Sequence, residues 1–219
     1  MYGTLGVAAS TNIPGGRIGA VSWSDASGKL WLFGGNGYDS TGTLGNLNDL
    51  WKFDPNLGTY GEWTWMGGSN AVPCTGGGWC GQQGVYGTLG IAASANIPGG
   101  RFSAVSWNDA SGNLWLFGGD GYDSTGTVGD LNLNDLWKFD PNLGTYGEWT
   151  WMGGSSTLPT GSLGVYATPG TGASLNPGSL YNAVSWSDAS GNLWIFGGYG
   201  YYLAGTRIGI QNGMWEYQP

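Results

Sequence analysis

Histidine is missing from the whole of this 219-residue sequence. Its absence excludes Ser-His-Asp and Cys-His catalytic sites and removes the commonest general acid–base. The 14 Asp and Glu residues remain as candidate acid–base groups, but most occupy equivalent places in repeated turns and at strand starts. Asp25, Asp109 and Asp188 are of this kind, and Asp in a turn usually accepts backbone hydrogen bonds. We therefore predict that the protein is not an enzyme.

Charge is scarce and mostly of one sign. Six Lys and Arg residues stand against 14 Asp and Glu, only 9% of residues are charged, and the net charge is −8. Nucleic-acid binding needs Lys and Arg clustered on one face, so we expect no nucleic-acid partner. No apolar run approaches the roughly 18 residues of a membrane span, so we expect no membrane insertion. Nor do the residues after Met1 form the basic and apolar regions of a secretory signal peptide.

Cysteine is also scarce, with Cys74 and Cys80 lying together in "PCTGGGWCG". Their spacing does not match the usual zinc pairs, and no histidine is present to complete such a site. A local disulfide is our interpretation, and two free thiols are the alternative. A disulfide would imply an oxidising compartment. Together with the low lysine content, this predicts an extracellular or cell-surface protein.

Glycine and aromatic residues, by contrast, are abundant. There are 46 Gly, 14 Trp and 12 Tyr, and aromatic residues make up 15% of the chain. Disordered chains are poor in aromatics, and glycine without a three-residue period excludes collagen. Gly, Asn, Ser and Thr interrupt every apolar run within a few residues, which disfavours helices. The composition predicts an all-β fold.

The sequence is built from repeats. Residues 2–35 return with few changes as residues 86–119, and residues 48–69 return unchanged as residues 134–155. A third copy starts at Tyr166, degrades, and becomes recognisable again over residues 183–198 and at Trp215. Repeats of this length indicate stacked modules. We predict three units, namely residues 1–84 with an extended N-terminal segment and the Cys loop, 85–164, and 165–219 without a fourth strand.

Each complete unit is predicted to contain four strands, which in the first copy are residues 19–23, 29–35, 49–54 and 62–66. The turn between the first two ends at Gly28, where a positive φ costs little. The second strand, "LWLF" at residues 30–33, is apolar on both faces, so both faces should be buried. A small antiparallel sheet covered on both sides by similar sheets is typical of a β-propeller blade.

Several spaced features resemble the kelch repeat family, whose marks are an apolar strand ending in Gly-Gly, a later aromatic and a further Trp. This resemblance implies a kelch-type β-propeller with about three antiparallel blades per chain, the last incomplete. An arginine ahead of the first strand is a further kelch-like mark, although the third copy has Leu180 there. Because Arg17 and Arg101 are two of only six cations, we predict that they bind carbonyls or a carboxylate between blades. A kelch unit is about 50 residues long, and these units are longer. The marks here are Phe33-Gly34-Gly35, Trp51 and Trp63 or Trp65; Phe117-Gly118-Gly119, Trp137 and Trp149 or Trp151; and the arginines Arg17 and Arg101.

The resemblance also bears on cofactors. Some kelch propellers belong to the galactose oxidase family, whose copper centre uses two histidines and a tyrosine crosslinked to cysteine. This chain has no histidine, and its two cysteines sit together in one loop between units. The likeness therefore covers the scaffold but not the copper site, and we expect no cofactor of that kind.

Propellers close with about four to eight blades, and this chain supplies about three. Faces as apolar as residues 30–33 would promote aggregation if left in water. We predict a non-enzymatic structural or interaction protein that self-assembles with copies of itself into a closed ring or a filament. In a filament, residues 2–10 are a candidate strand donor to the next subunit. The alternative is a carbohydrate- or protein-binding propeller domain that is a fragment of a larger secreted or cell-surface protein.

The loops after the Gly-Gly pairs, residues 35–46 and 119–130, are rich in oxygen ligands that calcium prefers. They lack EF-hand spacing, and an ordinary Gly/Asn/Asp turn is the competing interpretation. Tyrosines in the same loops could stack on glycans, contact another subunit, or pack over their own loops. The calcium candidates are Asp39, Asp120, Asp123 and Asp130, and the tyrosines are Tyr38, Tyr122, Tyr199, Tyr201 and Tyr202.

Overall fold

The computed structural model describes residues 1–74, 78, 80–126, 132–157, 177–201 and 208–219. All regular secondary structure in these residues is β, in several antiparallel sheets, which confirms the all-β prediction. Nowhere in this described part is there a helix long and apolar enough to cross a membrane.

The first repeat forms two sheets. Its larger sheet, called sheet I here, has the antiparallel order β2-β3-β6-β7, and a smaller sheet has the order β1-β4-β5. The predicted strands lie within a residue or two of the observed ones. The small sheet is not predicted by the sequence pattern. The bounds are β1 Arg17–Ile18, β2 Val21–Ser24, β3 Leu30–Phe33, β4 Asn36–Tyr38, β5 Leu44–Asn46, β6 Leu50–Asp54 and β7 Glu62–Gly67.

The second repeat has the same arrangement. Sheet II has the order β9-β10-β12-β13, and β8 pairs with β11 in a second small sheet. The bounds are β8 Arg101–Phe102, β9 Val105–Asn108, β10 Leu114–Phe117, β11 Asp120–Gly121, β12 Leu136–Asp140 and β13 Glu148–Gly153.

The third repeat keeps three strands of the larger sheet. Sheet III has the order β15-β16-β19, and the small sheet has the order β14-β17-β18. The bounds are β14 Leu180–Tyr181, β15 Val184–Ser187, β16 Leu193–Phe196, β17 Tyr199–Tyr201, β18 Ile208–Ile210 and β19 Met214–Tyr217.

Side chains alternate between the two faces of each sheet because successive strand residues point in opposite directions. We call the face toward the next sheet along the chain the front face, and the opposite one the rear face. In each sheet the front face presents Val and Trp from the first strand and Trp and Phe from the second, while the rear face presents Leu or Ile. The front residues are Val21, Trp23, Trp31, Phe33 and Leu50 in sheet I, Val105, Trp107, Trp115, Phe117 and Leu136 in sheet II, and Val184, Trp186, Trp194, Phe196 and Met214 in sheet III.

Two hydrophobic cores result from this alternation. The front face of sheet I packs on the rear face of sheet II, and the front face of sheet II packs on the rear face of sheet III. Ring contacts mark both cores: Trp31 lies 5.4 Å from Phe139 between centroids, and Trp115 lies 5.3 Å from Tyr217. The three sheets therefore form one stack, with sheet II covered on both faces.

The Gly-Gly pairs allow the main chains of neighbouring repeats to meet. Gly35 N donates to Arg101 O at 2.8 Å, and Arg101 N donates to Leu47 O at 3.1 Å. Gly34 has a φ of +66°, and a Cβ at this position would lie only 2.8 Å from Arg101 O. Any other residue would be strained in this conformation and would also push the two repeats apart. Gly118 and Gly119 meet Leu180 in the same way.

The N-terminal segment folds back on its own sheet. The ring of Tyr2 packs on Trp51 and Trp65, and Gly6 N donates to Trp65 O on β7 at 2.8 Å. The idea that residues 2–10 are donated to another subunit is therefore wrong for this structure, because they already cover part of the rear face of sheet I. Tyr86 repeats the arrangement on sheet II.

Candidate functional site: the faces of the end sheets

The front face of sheet III is an exposed apolar surface. Phe196 is 43% exposed, whereas Phe117, its equivalent in sheet II, is 3% exposed. Val184 and Trp186 show the same contrast with Val105 and Trp107. Exposed contiguous apolar surface of this kind marks an interaction site more often than a solvated face. The face comprises Val184, Trp186, Trp194, Phe196 and Met214.

The rear face of sheet I is the second such surface, although the N-terminal segment covers part of it. Leu30 is 47% exposed there, while its equivalent Leu114 in sheet II is fully buried. Leu32, Phe53 and Trp63 are half-buried, although the matching residues of sheet II are buried. The stack therefore ends in the front face of sheet III on one side and the rear face of sheet I on the other. Inside the stack, a front face packs on a rear face at both interfaces.

Each of the first two repeats contains a buried ion pair. Arg17 binds the Asp49 carboxylate through two nitrogens at 2.6 and 2.8 Å and also donates to Gly34 O. The Tyr2 hydroxyl and the Trp51 indole donate to Asp49 Oδ2 at 2.5 and 2.7 Å. This satisfies a fully buried carboxylate, as burial of a charge requires.

The second repeat copies this network with Arg101, Asp135, Tyr86 and Trp137. Burial works to lower the pKa of Arg101, but the charge and hydrogen bonds of Asp135 raise it above its ordinary value. Burial, followed by the Asp135 charge, raises the pKa of Tyr86 well above its usual range. The Arg101 and Tyr86 side chains therefore remain protonated at neutral pH.

The sequence predicts that Arg17 and Arg101 act between blades, and the structure corrects this for their side chains. Each guanidinium pairs within its own repeat, and only the Arg101 main chain bridges to the preceding repeat. Leu180 stands at the arginine position of the third repeat, and Gly213 stands at the aspartate position. Both charges are lost together there, as expected for a pair that cannot be buried singly.

The calcium candidates belong to two loops, one in each of the first two repeats. Asp39 accepts hydrogen bonds from the N–H groups of Thr41, Thr43 and Val72, and Asp123 accepts from Thr125 in the same kind of turn. Asp120 lies in β11, in the same loop as Asp123, and Asp130 lies outside the described residues. In the part of the chain that the structure describes, no three His, Cys, Asp or Glu side chains are grouped to hold a metal ion.

The five candidate tyrosines differ in how far they are exposed. Tyr38 is 52% exposed, but Tyr122 is 5% exposed and its ring lies against Gly81. Of the alternatives for these tyrosines, Tyr122 therefore packs inside the protein, where the close approach of the Gly81 backbone makes room for its ring. Tyr199 packs on Tyr181, with Tyr201 two residues further along β17. Tyr202 lies outside the described residues.

Cys74 and Cys80 are joined by a disulfide in the connection between sheets I and II. Cys80 is held against the first repeat, because Asn46 N in β5 donates to Cys80 O at 2.9 Å. The bridge leaves neither cysteine free.

A groove opens between β7 of sheet I and the outer strands of sheet II. Its volume is about 430 Å³, and its lining combines aromatic and polar side chains. Among these, Tyr146 is exposed and Trp65 is half-buried, while Trp149 forms the floor. Glu148 supplies a half-buried polar group there, while the buried Asn96 amide donates to the carbonyls of Ile91 and Trp149.

Comparisons with known proteins add little. No protein-family model and no curated protein matches the sequence. Among solved structures, that of YjhT is similar over 86% of this chain with 16% sequence identity and a TM-score of 0.35. The chain spans 61% of the length of that protein. A likeness at this level carries no argument about fold or function.

Proposed function

We propose that this chain is a non-enzymatic, kelch-type β-propeller segment that acts outside the cell as a structural module and associates with copies of itself. One observation carries the proposal. Side chains that are buried between sheets in the middle of the stack are exposed on its two end faces. These end faces are of the two kinds, front and rear, that already pack together twice within the chain.

The packing geometry supports the propeller form. The first strands of neighbouring sheets approach closely, because the Asn108 side chain donates to Ser24 O and Ser185 Oγ donates to Ser106 O at 3.2 Å. On the side of the fourth strand, the groove separates sheets I and II. Neighbouring sheets are therefore close together at their first strands and further apart at their fourth strands. Propeller blades are arranged in this way around a central axis.

The energetics favour use of both end faces. Burying a fully exposed apolar side chain contributes about 1.5–3 kcal/mol. Because the five front residues of sheet III and the four open rear residues of sheet I are already about half covered, the two faces together contribute on the order of 10 kcal/mol. Association itself costs about 4–15 kcal/mol. One contact is therefore of moderate strength, and a closed ring or a filament that repeats the contact is favoured over a single isolated pair. The disulfide supports an oxidising compartment outside the cell.

Light scattering of the purified chain tests this function. We expect species heavier than the 22.8 kDa monomer, with the mass rising as concentration increases. Trp186→Asp should restore the monomer mass because it places a charge on the front face of sheet III. The matched control is Leu143→Asp, which changes a 41%-exposed turn residue of the middle sheet. A stable, folded monomer at all concentrations contradicts the proposal.

The groove favours a second function, recognition of glycans or of another surface protein. Carbohydrate sites often combine a stacking aromatic ring with hydrogen-bonding groups, and here the exposed Tyr146 and the half-buried Glu148 line the same groove. Glycan-array binding that Tyr146→Ala abolishes, and that Tyr60→Ala leaves unchanged, would establish this function. Absence of binding on the array, with self-association intact, leaves only the structural role.

A further inference from the structure

We propose that the front face of sheet III docks head to tail on the rear face of sheet I of a second copy, in the register that relates sheet I to sheet II and sheet II to sheet III. This inference rests on the proposed self-association and specifies its polarity and contacts. The chain supplies the template, because it contains the same interface twice.

Indole hydrogen bonds fix the register of the template. Trp23 Nε1 donates to Trp115 O at 3.3 Å across the first interface, and Trp107 Nε1 donates to Trp194 O at 3.0 Å across the second. Trp186 is the equivalent front residue of sheet III, and it is 43% exposed. The same register assigns Trp31 O of the partner subunit as the acceptor for Trp186 Nε1.

Aromatic contacts repeat in step with these hydrogen bonds. Trp31 packs on Phe139 across the first interface, and Trp115 packs on Tyr217 across the second. Trp194 occupies the equivalent position in sheet III. In the proposed interface it packs on Phe53 of the partner subunit.

The main chain of the third Gly-Gly pair is open where the other two pairs are filled. A Cβ at Gly34 would meet Arg101 O and Leu47 O, and one at Gly118 would meet Leu180 O and Leu133 O. At Gly197 only Gln211 O, the carbonyl of the same repeat, is within reach in the described structure. At Gly34 and Gly118 the second carbonyl comes from the following repeat, as Arg101 O and Leu180 O. In the proposed interface, Arg17 O of the partner subunit occupies the equivalent position at Gly197.

Gly198 has the same conformation as its two counterparts, with a φ of +92° compared with +98° at Gly35 and +96° at Gly119. Gly35 N and Gly119 N donate to the carbonyls of Arg101 and Leu180 in the following repeat. Gly198 N is thus already oriented to donate to Arg17 O of the partner subunit, and no rearrangement of the loop is needed.

Shape favours this polarity over a symmetric contact. In both internal interfaces, the first two strands of a front face carry Trp and Phe, while the first two strands of the rear face carry only Leu, Ile and Ser, and the rear-face aromatics lie on the outer strands. Two front faces together would place Trp against Trp and leave the indole N–H groups without the carbonyls that they bind inside the stack. Glu216 replaces the Lys52 and Lys138 of the other front faces, and nothing in the structure explains this change. A head-to-tail contact closes into a ring or continues as a filament, depending on its rotation.

Site-directed crosslinking tests the polarity. Val184 lies on the front face of sheet III, and Ser22 lies on the rear face of sheet I. Their equivalents lie on facing strands of the internal interfaces, with Cα atoms of those strands within 8 Å. One full-length chain carries V184C and another, with a size tag, carries S22C. A short bismaleimide is added under non-reducing conditions, which keep the native disulfide closed.

We expect a crosslinked heterodimer in the mixture and no crosslinked dimer from either variant alone. Crosslinking of V184C with itself would show a front-to-front contact and overturn the head-to-tail proposal, and so would multimers by light scattering without the mixed product. If both variants are monomeric by light scattering, self-association itself has failed. As a second measurement, Trp194→Ala and Phe53→Ala should each weaken association by about tenfold or more, as expected for central aromatic contacts. Together they should cost no more than one of them alone, and independent additive losses would contradict the predicted pair.

Discussion

Sheet II and its two neighbours have nearly the same sequence but different surroundings. The strand "LWLF" is buried on both faces at Leu114–Phe117, while at Leu30–Phe33 only the Trp31 and Phe33 side is fully buried. In sheet III the situation is reversed, because Leu193 and Ile195 are buried and Phe196 is exposed. Local sequence therefore determines the strand and the face on which each residue lies, and the position in the stack determines whether that face is covered.

The largest effect is expected at the buried ion pair of the second repeat. Arg101→Leu leaves the fully buried Asp135 carboxylate without its counter-ion, and we expect a loss of about 3–5 kcal/mol in the free energy of unfolding. The third repeat has Leu and Gly at the two positions. The double variant Arg101→Leu/Asp135→Gly should therefore regain part of the loss. Denaturant unfolding measures both, and a double variant no more stable than the single one would contradict this explanation.

A matched pair of leucines tests the contrast between middle and end directly. Leu114→Ala should cost about 2–5 kcal/mol because it opens a cavity in a packed core. Leu30→Ala, at the half-exposed equivalent position, should cost less than about 1 kcal/mol in dilute solution. Unfolding at high protein concentration should increase the Leu30→Ala penalty, because self-association would cover that face. Equal penalties for the two variants in dilute solution would show that the faces do not differ as described.

Both cysteines lie in the connection between sheets I and II, so the connection between sheets II and III has no disulfide. Replacing both Cys74 and Cys80 by Ser should lower the free energy of unfolding by about 2 kcal/mol, the chain-entropy value for so short a loop. The masses seen by light scattering should not change, because neither residue lies on an end face. A change in assembly without a change in stability would assign the bridge to an interface.

The smallest effect is expected from the buried tyrosines at alkaline pH. The pKa of Tyr86 in the folded protein lies well above its ordinary value of 10.0, so folding favours the protonated hydroxyl. Its contribution to stability is full below pH 10 and is lost as the pH rises toward the folded-state pKa. Tyr86→Phe should lower stability at pH 7 by about 1 kcal/mol. It should also flatten the decline of Tm between about pH 9 and 11, and an equally steep decline would assign the alkaline sensitivity to other groups.

Much of the fold can be predicted from the sequence because the apolar strands and their turns are repeated. Leu30–Phe33 is uninterrupted and apolar, and the turn before it is capped by Asp25, whose carboxylate accepts hydrogen bonds from Ser27, Lys29 and Trp31. The small sheets could not be predicted in the same way. Asn36–Tyr38 and Leu44–Asn46 contain Gly and Asn, which disfavour strands, and main-chain pairing with neighbouring segments holds them in place.

Only part of the ion-pair network could be predicted from the sequence. Arg17 stands out as one of few cations, but its partner Asp49 lies 32 residues away and looks like an ordinary residue at a strand start. The joint loss of arginine and aspartate at Leu180 and Gly213 is the signal that links them. The burial of Tyr122, by contrast, depends on a long-range approach of Gly81 that no local pattern indicates.

The central claim is that the end faces of the stack bind copies of the chain. The most direct measurement is the molar mass by light scattering across a concentration series, for the native chain and for Trp186→Asp. We predict integer multiples of 22.8 kDa for the native chain and a folded monomer for the variant. A native chain that stays a compact monomer of 22.8 kDa at every concentration would contradict the account.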